Sequence, residues 1–176
     1  MTNLSLKTYL TEEQIQDKVK EIGTALSKKF NNERVVAICV LKGSFMFYSD
    51  LVRSISTDIT CEFFGVSSYH GETTSSGEVK VTLDLASPVE NCHVILVEDI
   101  VDTGLTMNYL KNSILARRPK SLTTVALLEK PDALKVECKI DHVGFQIQNE
   151  FVVGYGLDYQ GYYRNLPYIA QVQNFQ

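Results

Sequence analysis

Residues 94–106, Val-Ile-Leu-Val-Glu-Asp-Ile-Val-Asp-Thr-Gly-Leu-Thr, decide how this chain is organised. The apolar run Val94 to Val97 suits a strand buried on both faces, and the acidic pair Glu98 and Asp99 suits the polar end of that strand. Asp102-Thr103-Gly104 supplies turn chemistry, after which Met107, Leu110 and Ile114 recur at helical spacing. The unit reads strand, loop, helix. In an open α/β sheet, ligands collect where such strands end. The crevice there combines carboxylates with the unpaired N–H groups of a helix N-terminus, which favour a phosphate.

The same pattern recurs on both sides of this stretch. Upstream, Val35 to Leu41 is a near-continuous apolar run ending at Lys42-Gly43-Ser44, and Phe45, Tyr48, Leu51 and Val52 suit a following helix. Thr11-Glu-Glu-Gln14 has the form of a capping box, and Ile15, Val19, Ile22 and Leu26 follow it at helical intervals, so an amphipathic helix is expected to open the fold. Ile59 to Val66 and Val79 to Leu85 read as an antiparallel strand pair, the latter alternating Val79, Val81 and Leu83 with polar residues. Between them, Ser67-Ser-Tyr-His-Gly-Glu-Thr-Thr-Ser-Ser-Gly-Glu78 is long and polar for a hairpin connection, which suggests a mobile lid. Downstream, Leu122 to Leu128 forms another buried strand ending at Glu129-Lys130-Pro131. His142 to Ile147 and Phe151 to Gly156 suggest two more strands. The expected architecture is α/β: a twisted, mostly parallel sheet flanked by helices, with a small hood and a flexible antiparallel lid hairpin.

Composition narrows the possibilities. With 176 residues, 44% of them hydrophobic, and no low-complexity run, the chain fits a single domain over residues 1–176. The first residues lack the apolar core of a signal peptide and no run is long enough to span a bilayer, so a cytoplasmic protein without a membrane partner is expected. Cys39, Cys61, Cys92 and Cys138 lack zinc-like spacing and read as reduced core or near-core thiols. A net charge of −4 disfavours a nucleic-acid partner. Neither GxxxxGK[S/T] nor GxGxxG is present, and Gly154-Tyr155-Gly156 is not that fingerprint.

The string from the apolar strand through Glu98-Asp99 to Asp102-Thr103-Gly104-Leu105-Thr106 closely resembles the phosphoribosyl-pyrophosphate motif of the purine phosphoribosyltransferases. The resemblance extends from about Val35 to Arg164 and is nearest to the hypoxanthine-guanine members. It implies a type I phosphoribosyltransferase-like fold and the Mg²⁺-dependent transfer of a phosphoribosyl group from phosphoribosyl pyrophosphate to N9 of a 6-oxopurine. In that family the acidic pair holds the ribose hydroxyls and the loop wraps the 5′-phosphate. Ionised Glu98 and Asp99 accept hydrogen bonds from hydroxyls or from Mg²⁺-bound water, while Thr103, Gly104, Leu105 and Thr106 offer hydroxyls and amides to phosphate. Asp102 is the candidate general base, placed to take a proton from purine N7.

Three further stretches carry the resemblance. Lys42-Gly43 matches the family's pyrophosphate loop, in which the peptide before the lysine is often cis. Ser68-Tyr69 matches its lid, whose closure would exclude water from a ribosyl cation-like transition state. Lys130 matches the lysine that donates to the exocyclic oxygen of the purine, a contact that selects a keto group over the amino group of adenine. In the stretch from Phe151 to Asp158, Phe151 would stack on the base, the main chain of Val152 would read its edge, and Asp158 would approach Mg²⁺ or a guanine amino group. Arg164 would grip the pyrophosphate. Leu105 stands where some relatives carry lysine, so an acidic chain must hold a polyanion with amides, few cations and Mg²⁺. The resemblance further implies a homodimer or homotetramer. Two alternatives share the fold: a sister enzyme preferring xanthine and guanine, and an RNA-binding regulator, which would need a basic face.

Overall fold

The computed structural model describes residues 4–68 and 79–173. A short strand, β1 (Leu6–Leu10), precedes helix α1 (Glu12–Lys29), so the amphipathic helix is not the first element as expected. Its capping box is closed: Gln14 N–H donates to the Thr11 hydroxyl at 3.2 Å, and Thr11 N–H donates to the Gln14 side chain at 2.8 Å. Two amides that a helix start would leave orphaned are thereby satisfied. The stripe Ile15, Val19, Ile22 and Leu26 is buried, as its spacing required.

The chain continues through β2 (Val35–Leu41), α2 (Phe45–Arg53), β3 (Ile59–Ser68) and β4 (Val79–Leu83). Then come β5 (His93–Val101), α3 (Leu105–Leu115), β6 (Ser121–Glu129), β7 (His142–Gln146), β8 (Val152–Val153) and β9 (Ile169–Val172). A six-stranded sheet runs β4-β3-β2-β5-β6-β7, parallel throughout except for β4 at its edge. Its central strands are apolar on both faces because both are covered. Ile95 and Val97 of β5 join α1 and α2 through Ile15, Leu26, Phe47 and Leu51. The alternate residues Val94 and Leu96 meet Met107, Leu110 and Ile114 of α3 on the other side. Since β2, β5 and β6 are parallel neighbours, their C-terminal ends lie along one edge, and the chemistry-bearing loops emerge there.

Four sequence expectations change. β3 runs on to Ser68, pairing in parallel with β2 over its first part and antiparallel with β4 from Gly65. The alternation in β4 marks no buried face: Val81 and Leu83 are 38% and 47% exposed on this edge strand. Only Val152–Val153 is extended within Phe151 to Gly156, because Gly154, Tyr155 and Gly156 have φ of 101°, 49° and 100°, which no strand tolerates. Cys61 is exposed, whereas Cys39, Cys92 and Cys138 are buried; all four are free thiols. The hood is a second, antiparallel sheet, β1-β9-β8, which joins the two ends of the described chain. The expected lid falls largely outside the described residues, which include the backbone of Ser68 but not Tyr69.

Candidate active site

Glu98 and Asp99 occupy the last turns of pleat in β5. Glu98 is 8% exposed, and its Oε2 is buried without a hydrogen-bond partner among the described residues. An unsatisfied carboxylate oxygen is costly, so it marks a place where a ligand is expected. Burial pushes the Glu98 carboxyl well above its usual range, and the neighbouring Asp99 adds to the rise. Burial also raises Asp99 to about 6, against the opposing pull of the Ile100 amide and Arg164. The Ile100 N–H donates to Asp99 Oδ1 at 2.8 Å.

The loop Asp102-Thr103-Gly104 turns the chain into α3. Gly104, at φ 80°, is the residue before the helix, and no side chain caps it. A β-carbon there would press on Cys138 and Val136, so glycine is required by both conformation and space. Gly104, Thr106 and Met107 at the start of the helix line a cavity of about 90 Å³ together with Glu98, Asp102 and Thr103, so a helix N-terminus, which favours an anion, meets two carboxylates there. Leu105 and Thr106 belong to that first turn. A larger, open groove of about 590 Å³ lies at the opposite ends of β2 and β3, along residues 31–35 and 56–60, away from these groups.

Lys42 and Gly43 link β2 to α2, and the Leu41–Lys42 peptide is cis. Buried Ser44 donates its hydroxyl to the Val40 carbonyl, closing the loop onto its own strand. Gly43 is pressed between strand β5 and the loop at Gly156. A β-carbon on it would overlap the Asp99 carboxylate, and a β-carbon on Gly156 would overlap the Gly43 carbonyl. Lys130, at the end of β6, is only 8% exposed. Its N–H donates to Val101 O at 2.9 Å, and its Nζ lies 3.8 Å from Asp102 Oδ2. The Lys135 N–H reaches Thr103 O at 3.0 Å, which ties the segment after β6 to the same loop.

The hood completes the enclosure. The Phe151 ring meets Tyr159 edge to face, with centroids 5.9 Å apart. Val172 N–H donates to Phe151 O at 2.9 Å, making that pair the hydrogen-bonded one. By alternation, Val152 opposite Gln171 is not, so its N–H and C=O point away from β9 toward the open edge of the hood sheet. Asp158 and Arg164, read from the sequence as separate ligands, are paired at 2.5 Å. Arg164 also donates to Gly156 O at 2.6 Å, and Asp158 accepts the Gly161 N–H at 2.7 Å. Among the described residues, no cluster of three or more His, Cys, Asp or Glu side chains forms a ready-made metal site.

A phosphoribosyl transferase domain model matches residues 5–160. The chain belongs to the phosphoribosyltransferase family. Among its relatives, the hypoxanthine-guanine phosphoribosyltransferase of Staphylococcus aureus is 45% identical over 173 residues, covering 98% of this chain and 97% of that protein. The Bacillus subtilis enzyme of the same name is 47% identical over 164 residues, covering 93% and 91%. A crystal structure of a hypoxanthine phosphoribosyltransferase from Staphylococcus aureus matches with a TM-score of 0.91 at 45% identity, over 97% of this chain and 92% of that one. The fold is that of a type I phosphoribosyltransferase.

In this phosphoribosyltransferase, Lys42-Gly43, Glu98-Asp99, Asp102 to Thr106 and Lys130 lie at one edge of the sheet, and Arg164 and Asp158 are near enough to Asp99 to act on its carboxyl. Sequence reading missed what fastens the loops together: Gly156 seated on Gly43, and Tyr155 hydrogen-bonded to Asp50. The glycines around Tyr155 were the available signal. Their partners, more than a hundred residues upstream, left no trace in spacing.

Proposed function

We propose that this chain transfers the 5-phosphoribosyl group of phosphoribosyl pyrophosphate to N9 of hypoxanthine or guanine, giving the nucleoside 5′-monophosphate and pyrophosphate. The observation that carries this reading is the buried Lys130 ammonium beside the Asp102 carboxylate at the mouth of an uncapped helix start. A 6-oxopurine presents O6 and N7 on one edge, so Lys130 donates to O6 while Asp102 receives the proton leaving N7 as N9 attacks C1′. Phe151 covers one face of the base and the Val152 main chain meets its edge. Glu98 and Asp99 accept the ribose hydroxyls, Thr103 to Thr106 enclose the 5′-phosphate, and Lys42, Gly43 and Arg164 receive the departing pyrophosphate. Most of the rate enhancement then comes from alignment, because the reacting atoms are held by loops already fixed to one another.

The donor set suits Mg²⁺: Glu98, with its unpartnered buried oxygen, Asp99 and Asp158 offer the hard oxygen ligands this ion takes, and the substrate supplies the rest. When bound, Mg²⁺ neutralises charge developing on the pyrophosphate. Ser68 and Tyr69 close over the centre in this reading. Residues 1–176 act as one unit, in the cytoplasm, as a homodimer or homotetramer. The exposed Phe63, Val81 and Leu83 offer apolar surface for such contacts, and none of the described helices is long and apolar enough to cross a membrane.

The test is ultraviolet-monitored turnover of hypoxanthine, guanine, xanthine and adenine with phosphoribosyl pyrophosphate, with and without Mg²⁺. Mg²⁺-dependent turnover of hypoxanthine and guanine is expected. Preference for xanthine would reassign the chain to the sister specificity. No turnover of any base by folded protein would remove the reading, and salt-dependent RNA binding would then favour a regulator.

A further inference from the structure

Asp50 lies on α2, the helix that starts directly after Lys42-Gly43-Ser44, and three donors from three elements converge on its carboxylate. Oδ2 accepts the Tyr155 hydroxyl at 2.6 Å and the Gln16 amide of α1 at 2.8 Å, while Arg53 pairs with Oδ1. Tyr155 is 5% exposed. Its phenol is driven upward by burial and by the bond to Asp50, so it stays a protonated donor. The short bond to an ionised acceptor belongs to the stronger class of hydrogen bonds.

Tyr155 holds an unusual backbone position. Its φ of 49° is sparsely populated for a residue with a β-carbon, and it sits between two glycines in the same half of conformational space. Such a conformation persists where surrounding contacts enforce it. Here they are the ring buried in the core, the hydroxyl on Asp50, and the Tyr155 N–H on Leu166 O at 2.9 Å. The next residue, Gly156, rests on the Gly43 carbonyl and receives Arg164. Three residues before Tyr155 the same strap is Val152, and two residues after Gly156 it is Asp158. A shift at Tyr155 therefore moves the base edge, the Arg164 anchor and the roof of the Lys42-Gly43 loop together.

We infer that Tyr155 and Asp50 are positioning residues that hold the purine strap in register with the pyrophosphate loop, so that both substrates are bound by one fastened assembly. The inference rests on the transfer reaction proposed above. Neither residue is assigned contact with substrate.

The experiment is steady-state kinetics of Tyr155→Phe and Asp50→Asn with both substrates varied, alongside thermal melting. Phe fills the same volume, so Tyr155→Phe is expected to fold. Losing one charge-assisted bond is expected to raise the KM of the purine and that of phosphoribosyl pyrophosphate together, each by about tenfold, with kcat at joint saturation nearly unchanged. Asp50→Asn retains an acceptor for the hydroxyl and is expected to show a smaller rise in both constants. A lower melting temperature with both KM values unchanged would make the pair a stability element only and overturn the inference. So would a rise in the purine KM alone, which would confine the effect to the strap. Wild-type protein without purine turnover would instead refute the assigned reaction.

Discussion

The ammonium of Lys130 lies 3.8 Å from a carboxylate oxygen of Asp102, which joins the end of β6 to the loop after β5 through their side chains as well as their backbones. Lys130 is the more enclosed partner: its side chain is 10% exposed and that of Asp102 is 51%. A buried ammonium with one half-exposed counter-ion among the described residues retains donor capacity, and Asp102 retains acceptor capacity. The pair is thus complementary to a ring edge carrying an oxygen acceptor next to an N–H.

The first expectation concerns Asp102. Asp102→Asn keeps the loop's turn chemistry but cannot accept a proton. Turnover should fall by about 10²-fold or more while KM for the purine changes little, since general-base contributions are typically of that order. Stopped-flow measurement of the chemical step across pH checks it. Near-normal turnover at every pH would remove Asp102 from the base role.

For Lys130, truncation removes a donor aimed at the base. Lys130→Ala should lower kcat/KM for hypoxanthine and guanine by roughly 10–100-fold, the worth of a hydrogen bond to a charged group. It should also narrow the preference over adenine. Because Lys130 and Asp102 touch, the double variant should be less impaired than the product of the single effects. Multiplicative losses would mean that the two residues act independently.

Gly104 tests the phosphate loop. Gly104→Ala forces a β-carbon into φ 80° and against Cys138. It should destabilise the fold by about 1–3 kcal/mol, the usual range for strained backbone. It should also raise KM for phosphoribosyl pyrophosphate more than KM for the purine. Chemical denaturation and initial rates check both, and an unchanged midpoint would show that the loop relaxes freely.

Much of this architecture was legible before any coordinates, for physical reasons. Strands buried on both faces must be apolar throughout, so β2, β5 and β6 announced themselves, and with them the edge where Lys42, Asp102 and Lys130 emerge. α1 carried its own start signal in Thr11 and Gln14. The hood was expected but two of its strands were not, because β1 and β9 are short and pair across the chain, which leaves no local pattern. Phe151 to Gly156 misled for the opposite reason: its apolar run is genuine, but Gly154, Tyr155 and Gly156 turn it into a strap of positive φ. The Asp158–Arg164 pair was also beyond reach, since each residue was read singly as a ligand and their mutual contact follows from the strap's geometry.

The acidic pair gives a pH signature for the substrate-free protein. Burial raises Asp99 from 3.8 to about 6 in the folded state, and Glu98 shifts in the same direction. Between those values the folded state holds more protons than the unfolded one, so stability falls as pH rises through about 4–6 and stays low above. Wild-type protein should therefore lose melting temperature, relative to Asp99→Asn, between pH 5 and pH 7.5. The difference reports Asp99 together with the part of the Glu98 rise that the Asp99 charge causes, and both contribute in the same direction. Parallel pH profiles would show that Asp99 is ionised in the folded state at pH 5.

Arg164 is held by Asp158 at 2.5 Å and by the Gly156 carbonyl at 2.6 Å, so its fork is already shared between two groups of the strap. With Arg164 as the proposed pyrophosphate ligand, the anion is expected to compete with Asp158 for the guanidinium, while the bond to Gly156 keeps the group in place. A lysine preserves the charge but, as a compact ammonium without the planar fork, cannot serve the carbonyl and an anion in the same planar geometry. Arg164→Lys should raise KM for phosphoribosyl pyrophosphate, and for pyrophosphate in the reverse direction, by about tenfold, as expected for losing one charge-assisted contact. The purine KM should move less. Asp158→Asn should tighten pyrophosphate by releasing the guanidinium where the Arg164 pair dominates and weaken it where the carboxylate serves Mg²⁺, and it should weaken guanine more than hypoxanthine if the carboxylate faces the guanine amino group. Isothermal titration of pyrophosphate into the three proteins at constant Mg²⁺ reads this directly. Equal affinities in wild type and Arg164→Lys would mean that the arginine serves the strap alone.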